Sequence, residues 1–277
     1  MRPAEVVRRA AGYLERHGVV SPLPTAEVLL AGVLGVSRAK LYSREEGLSA
    51  AEARTFGRAL CRRCTGTPLQ HLTGEEGFRH LTLAVRPGVF IPRPETEIVV
   101  ERALETIDGI DGPVVVDVGT GTGAIALALA DEHPGARVVA TDLSTDAVRL
   151  ASENAAALGA DITVVAGDLL DGVDPALRGR VDLVVSNPPY LEPGELGSLP
   201  REVRADPPLA LVGGVELIRR LVAVAFSWLR PGGWLVLEIG ERHGSAVSAA
   251  AVDAGFDGVR VHADLLGRDR VVVARRP

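Results

Sequence analysis

Val114-Val115-Val116-Asp117-Val118 runs directly into Gly119-Thr120-Gly121-Thr122-Gly123, and Ala124 to Ala130 then continues as an apolar helical stretch. A β-branched run bounded by glycine reads as a buried strand. A strand that passes through a tight glycine loop into a helix commits the chain to a crossover, so the next strand pairs in parallel. The alternation then repeats. Arg137 to Thr141 ends on Asp142, Ile162 to Ala166 ends in Gly167-Asp168-Leu169, and Val181 to Ser186 ends in Asn187-Pro188-Pro189-Tyr190. This is the pattern of a doubly wound α/β sheet, whose ligands sit beyond the carboxyl ends of the strands at the switch point, between the first and fourth. After the last crossover, Gly258 to His262 and Arg270 to Ala274 read as a terminal antiparallel pair.

Four strand ends therefore converge on one cleft. The glycines let backbone N–H groups approach a ligand at a helix N-terminus. Asp142 is placed to hold a ribose diol, and Asp168 to accept from an adenine amino group. Pro188 forces Asn187 into an extended conformation, and neither proline donates a hydrogen bond. The loop thus offers an Asn carboxamide, bare carbonyls and an aromatic face. A planar NH2 group suits it, with the Asn oxygen and the Pro188 carbonyl as acceptors and Tyr190 against the plane. Gly119, Gly121 and Ala124 also satisfy a permissive dinucleotide fingerprint. The terminal antiparallel pair and the absence of a hydride-transfer acid or base beside Asn187 favour methyl transfer over hydride transfer.

The first 72 residues show helical spacing through Val6, Val7, Ala10, Tyr13 and Leu14, then Val28, Leu29, Val33 and Leu34. Ser49 with Glu52 predicts a capping box on a third helix. This segment carries no chemistry and reads as a partner-binding module, with a purely structural cap as the alternative. Residues 73–97 alternate in short segments around Gly74, Gly77 and Gly88, which predicts a hairpin, and Pro94 opens a helix after them. Residues 98–277 form the catalytic domain. With 277 residues, 47% of them hydrophobic, there is material for both cores, and a net charge of −6 gives no global footprint for nucleic acid. No apolar run spans a bilayer and no basic-plus-apolar leader opens the chain, so a cytoplasmic protein is expected. Cys61 and Cys64 form a Cys-x-x-Cys without two further zinc ligands at suitable spacing, and are expected to be ordinary thiols.

Asn187-Pro188-Pro189-Tyr190 is similar to the motif of amino-methyltransferases that act on adenine, guanine or glutamine NH2 groups. Ile91-Pro92-Arg93-Pro94-Glu95-Thr96-Glu97 resembles, more narrowly, the signature of the protein-(glutamine-N5) methyltransferases that modify the Gly-Gly-Gln motif of peptide chain release factors. The resemblance extends through Asp117 to Ala130, Asp182 to Tyr190, Leu209 to Gly214, Glu238-Ile239-Gly240 and Asp264 to Arg270. It implies a Rossmann-like, seven-stranded S-adenosylmethionine (SAM) methyltransferase sheet, joined by a β-hairpin linker to a small N-terminal helical domain. SAM would be the methyl donor, S-adenosylhomocysteine the product, and no metal would be needed. By the same resemblance Gly119, Thr120, Gly121, Thr122, Gly123, Asp142, Asp168, Leu169 and Asn187 contact SAM, and Phe90 and Thr96 cover its adenosyl side. Asn187, Pro188, Pro189 and Tyr190 hold the glutamine. The implied partner is a release factor, bound by a monomer without direct nucleic acid. One departure is local: after Gly213-Gly214 the family continues Asp-Gly-Leu, whereas this chain has Val215-Glu216-Leu217 and is a residue shorter.

Rival readings share parts of the pattern. A nicotinamide oxidoreductase uses the same glycine loop, and a nucleic-acid amino-methyltransferase the same Asn-Pro-Pro-Tyr loop, though with a basic face. A ribosomal-protein glutamine methyltransferase differs in the Ile91 to Glu97 signature. A catalytically silent binding protein would not need the intact site residues.

Overall fold

The computed structural model describes residues 1–277. They divide into two compact units, the first Met1–Glu75 with Pro200–Ala205, the second Glu76–Leu199 with Asp206–Pro277. The first unit is helical: α1 (Pro3–Arg16), α2 (Pro22–Leu34), α3 (Arg38–Ser43), α4 (Ala50–Cys64) and α5 (Leu69–Thr73). Helix α1 buries Val7, Ala10 and Leu14, spaced three and four residues apart, against Leu29 and Leu30 of α2 in a core that includes Leu41 and Phe56. Each such buried Leu or Val contributes about 1.5–3 kcal/mol. Ser49 caps α4 as expected: its Oγ accepts from the Glu52 N–H at 3.2 Å, and the Glu52 carboxylate accepts from the Ser49 N–H at 2.7 Å. The capped helix is the fourth and not the third. The extra helix, α3, is six residues long and buries only Leu41, too little to leave a periodic signal.

Buried charge organises the rest of this unit. Glu27 is held by Arg38 and Tyr42. Arg63, 5% exposed, donates to Glu202 at 2.6 Å, which ties Pro200–Ala205 into the helical unit. The sequence predicts a boundary near residue 72 and carries no signal for that second segment. Cys61 and Cys64 are free thiols on the last turn of α4.

A hairpin at the boundary, β1 (Glu75–Phe78) and β2 (Leu81–Ala84), begins the second unit, then a 3-10 turn at Pro94–Thr96 leads into α6 (Glu97–Ile107). Crossovers follow through β3 (Val114–Val118), α7 (Ala124–Glu132), β4 (Arg137–Asp142), α8 (Thr145–Leu158), β5 (Ile162–Ala166) and β6 (Val181–Ser186). The chain ends with α9 (Pro208–Leu211), α10 (Gly214–Trp228), β7 (Leu229–Glu238), α11 (Gly244–Asp253), β8 (Asp257–Ala263) and β9 (Asp269–Arg275). The seven-stranded sheet has the order β5-β4-β3-β6-β7-β9-β8, with β9 antiparallel to its neighbours. No helix is long and apolar enough to cross a membrane.

Alternation along each strand fills two layers. Val115, Leu183, Val185 and Val236 pack with α6 and α7, while Val116, Val184, Leu235 and Leu237 pack with α10 and α11. Register then brings the functional loops to one rim. Ala166 pairs with Asp142, Thr141 with Val118, Val118 with Ser186, and Ser186 with Leu237. Gly167, Gly119 and Asn187, which leave these strands, and Glu238, the last residue of β7, are therefore neighbours along the sheet's carboxyl edge.

Candidate active site

The glycine loop is shaped by its backbone. Gly119 and Gly121 have φ of 73° and 58°, which side-chain-bearing residues rarely adopt. The N–H groups of Gly119 and Thr120 both donate to the Thr141 carbonyl, at 2.8 and 2.9 Å, anchoring the loop to β4. At Gly123, the cap of α7, an added Cβ would press on Leu127 at 3.0 Å and Ala151 at 3.3 Å. Thr120 and Thr122 are buried.

Two carboxylates flank this loop. Asp142 accepts from the N–H of Gly121 at 2.9 Å and of Ser144 at 2.8 Å. Burial raises its pKa against those bonds. Asp117 is wholly buried, and its Oδ2 accepts from Thr120 Oγ at 2.6 Å and the Ala126 N–H at 3.2 Å. Its Oδ1 has no partner within the protein, and burial pushes the carboxyl up to about 7. Sequence reasoning gave Asp117 no role, since an acid inside a valine run carries no motif of its own. A buried, unsatisfied carboxylate oxygen at the base of a glycine loop fits a ligand that brings a cationic or N–H donor. The hydroxyl-binding geometry expected of Asp142 fits a ribose.

The loop after β5 is equally tight. Leu169 holds a left-handed φ of 54°, a strain of about 1–3 kcal/mol, and its carbonyl accepts from Thr141 Oγ at 2.7 Å. Gly167 and Gly172 approach so closely that a Cβ on either would strike backbone. The half-exposed Asp168 carboxylate pairs with Arg220 at 2.9 Å, so a ligand amine would share it with that guanidinium.

Asn187 follows β6, where Ser186 Oγ donates to the Val118 carbonyl at 2.6 Å and joins the two switch-point strands. The Asn187 Nδ2 donates to Thr96 Oγ at 3.0 Å, and Thr96 Oγ lies 2.6 Å from Glu238 Oε2. Thr96 stands in the turn before α6, so its hydroxyl is committed to Asn187 and Glu238. Any contact of Thr96 with an adenosyl group falls to its methyl or backbone. Glu238 is fully buried, and burial pushes it up to about 7. Glu238-Ile239-Gly240 was visible as a segment, but its link to Asn187 was not. Phe90 lies under the Arg93 guanidinium, 5.2 Å from the ring centre, and Arg93 is paired with buried Asp206. Asp206 also accepts from the Ile91 N–H at 3.2 Å.

The rest of the loop is clamped from one side. Leu191 donates to the Leu211 carbonyl at 2.9 Å and accepts from Gly213 at 3.2 Å. A Cβ on Gly213 would collide with the Pro189 carbonyl oxygen, so only glycine fits. The altered Val215-Glu216-Leu217 segment forms the first turn of α10, and the Val215 N–H donates to Glu192 at 3.4 Å. Tyr190 meets His243 edge-on at 6.1 Å, and burial pushes its phenol up to about 12, which keeps it neutral. No group of His, Cys, Asp and Glu is arranged to hold a metal ion.

Comparison with known proteins bears on this site. Residues 5–74 match the family described as PrmC N-terminal domain, and residues 80–198 the Methyltransferase small domain. The release factor glutamine methyltransferase of Moorella thermoacetica is 45% identical over 281 residues, which cover 98% of this chain and 96% of the relative. That of Deinococcus radiodurans is 43% identical over 281 residues, covering 100% and 99%. Among solved structures, the T. thermophilus 16S rRNA N2 G1207 methyltransferase in complex with AdoMet and guanosine superposes with a TM-score of 0.56. It is 22% identical and covers 73% of this chain and 50% of its own, a likeness of fold alone.

Proposed function

Since the chain belongs to the release factor glutamine methyltransferases, we propose that it methylates the side-chain amide nitrogen (N5) of a glutamine in a peptide chain release factor, with SAM as donor. The observation that carries this reading is Asn187. Its Nδ2 is bonded to Thr96, its Oδ1 to no protein group, and it stands on the same rim as the glycine loop. An amide acceptor is what such a loop recognises.

When bound, SAM supplies an activated sulfonium methyl group. Gly119 to Gly123 and Leu169 would line it with closely approaching backbone, and Asp117 and Asp142 would hold it through carboxylate lone pairs left free by their protein partners. The remaining task falls to the acceptor side, because an amide nitrogen is a poor nucleophile while its lone pair is delocalised into the carbonyl. Asn187 Oδ1 and the Pro188 carbonyl accept the two N–H bonds of the glutamine, which orients the nitrogen and raises its electron density. Tyr190, neutral at physiological pH, forms an apolar wall against the amide plane. Alignment of this kind contributes roughly 7–11 kcal/mol in favourable cases. Asn187 is not a base, so the proton leaves to solvent after transfer.

The glutamine is that of the Gly-Gly-Gln loop, whose flanking glycines let it extend where a bulkier neighbour would collide. The helical unit, which carries no catalytic group, recognises the body of the release factor, in the cytoplasm where termination takes place. Mass spectrometry of a release factor incubated with the protein and SAM tests this. A gain of one methyl on that glutamine is expected, with none on the glutamine-to-alanine factor. Transfer to adenine-containing DNA instead would move the enzyme to the nucleic-acid amino-methyltransferases.

A further inference from the structure

The hydrogen-bond chain Asn187–Thr96–Glu238 has a direction, and the direction decides which end of the Asn187 carboxamide meets the acceptor. Glu238, as a carboxylate, can only accept. The 2.6 Å contact then takes the Thr96 proton, leaving the Thr96 oxygen to accept from Asn187 Nδ2 at 3.0 Å. The geometry points to Thr96 and Glu238 as positioning residues that set the Asn187 carboxamide with its oxygen, rather than its NH2, toward the amide being methylated. This rests on the glutamine reading above and deepens it, since the two residues touch neither methyl nor nitrogen.

A neutral Glu238 permits the opposite polarity. Its own O–H could donate to Thr96, whose hydroxyl would then donate to Asn187 Oδ1 once the carboxamide turned over. The substrate NH2 would face a second NH2, two donors with no acceptor between them. The groups that bear on Glu238 are Thr96, Arg270, Glu95 and Tyr190, with Arg270 favouring the charged form and Glu95 opposing it. Arg270 is itself shared with Asp264 at 3.3 Å, and its Nε is unpartnered, so it offsets burial only in part. Burial dominates and raises Glu238 to about 7. The switch between polarities is therefore expected near pH 7.

The test compares the full-length wild type with Thr96→Val, Thr96→Ser and Glu238→Gln, using a release factor and SAM. Thr96→Val keeps the shape but neither donates nor accepts, and kcat is expected to fall on the order of 10²-fold, with SAM affinity by calorimetry unchanged. Thr96→Ser is expected to restore the rate. Wild-type kcat should fall as pH drops below about 7, and Glu238→Gln should lose that acid limb. A Thr96→Val enzyme at wild-type rate, or an intact acid limb in Glu238→Gln, overturns the relay. If the wild type leaves the release factor unmethylated, the glutamine reading fails instead. The relay is then judged without any acceptor, from the Asn187 side-chain NH2 resonances in 15N-labelled protein, assigned by their loss in Asn187→Ala. They should titrate near pH 7 in the wild type and not in Glu238→Gln, and static resonances in the wild type overturn the relay.

Discussion

Asn154, on α8, satisfies both backbone groups of Ala84, on the hairpin strand β2. Its Oδ1 accepts from the Ala84 N–H at 2.9 Å, and its Nδ2 donates to the Ala84 carbonyl at 3.1 Å. The same Nδ2 donates to the Thr122 carbonyl in the glycine loop at 2.9 Å. One buried carboxamide therefore joins the hairpin, a crossover helix and the cofactor loop. Asn154→Leu leaves these backbone groups without partners and should cost about 1–3 kcal/mol of stability. Urea unfolding measures the loss, and calorimetry should show weaker SAM binding as the glycine loop loosens. Full stability in that variant would remove Asn154 from the frame.

Asp142 accepts from two backbone N–H groups and retains lone pairs for a ribose diol. Asp142→Ala should weaken SAM binding by about 1.5–3 kcal/mol, the worth of hydrogen bonds to a charged group. Calorimetry on the purified variant reads this directly, and unchanged affinity would exclude the ribose role.

Asp117 gives the apo protein a distinctive pH response. Its ordinary pKa of 3.8 is raised to about 7 on folding, so between those values the folded state holds a proton that the unfolded state has released. Stability from this group is complete at low pH and falls as pH rises through that window, at up to about 1.4 kcal/mol per pH unit. Denaturant melts at pH 5, 6 and 7 should show Asp117→Asn with a flatter dependence than the wild type. Parallel curves for the two proteins would contradict the assignment.

At Gly213 the expected effect is on turnover. Gly213→Ala must push the Pro189 carbonyl away, and with it the acceptor carbonyl of Pro188. Steady-state kinetics should show kcat reduced on the order of 10²-fold, since small misplacements of aligned groups are costly, with SAM affinity largely retained.

Removing the Asn187 acceptor itself tests the core of the site. Asn187→Ala should lower kcat about 10²–10³-fold, as loss of a preorganised transition-state hydrogen bond does. Circular dichroism should remain that of the folded protein.

The catalytic rim was legible in the sequence because each of its strands is a short β-branched run that ends in a turn signal: Val118 before Gly119, Ser186 before Asn187-Pro188. Parallel pairing then followed from the crossovers. What stayed hidden was contact across distance. Thr96 and Glu238 are 142 residues apart, and neither residue type in its local pattern announces the other. Asp117 was hidden for a different reason, since its significance lies in an oxygen left unpaired by burial. The assignment of Pro200–Ala205 to the helical unit depends on the partner of one buried arginine, and no periodicity records it.

That arginine has a consequence for how the chain comes off the ribosome. Arg63 is made 139 residues before Glu202, its ion-pair partner. At synthesis rates of about 5–20 residues per second, the interval is roughly 7–28 s. During it the five helices are complete, yet the guanidinium they would enclose has no counter-charge. The N-terminal helices therefore emerge first, but the ion pair that neutralises Arg63 forms only after β3 to β6, four of the seven sheet strands, have been made.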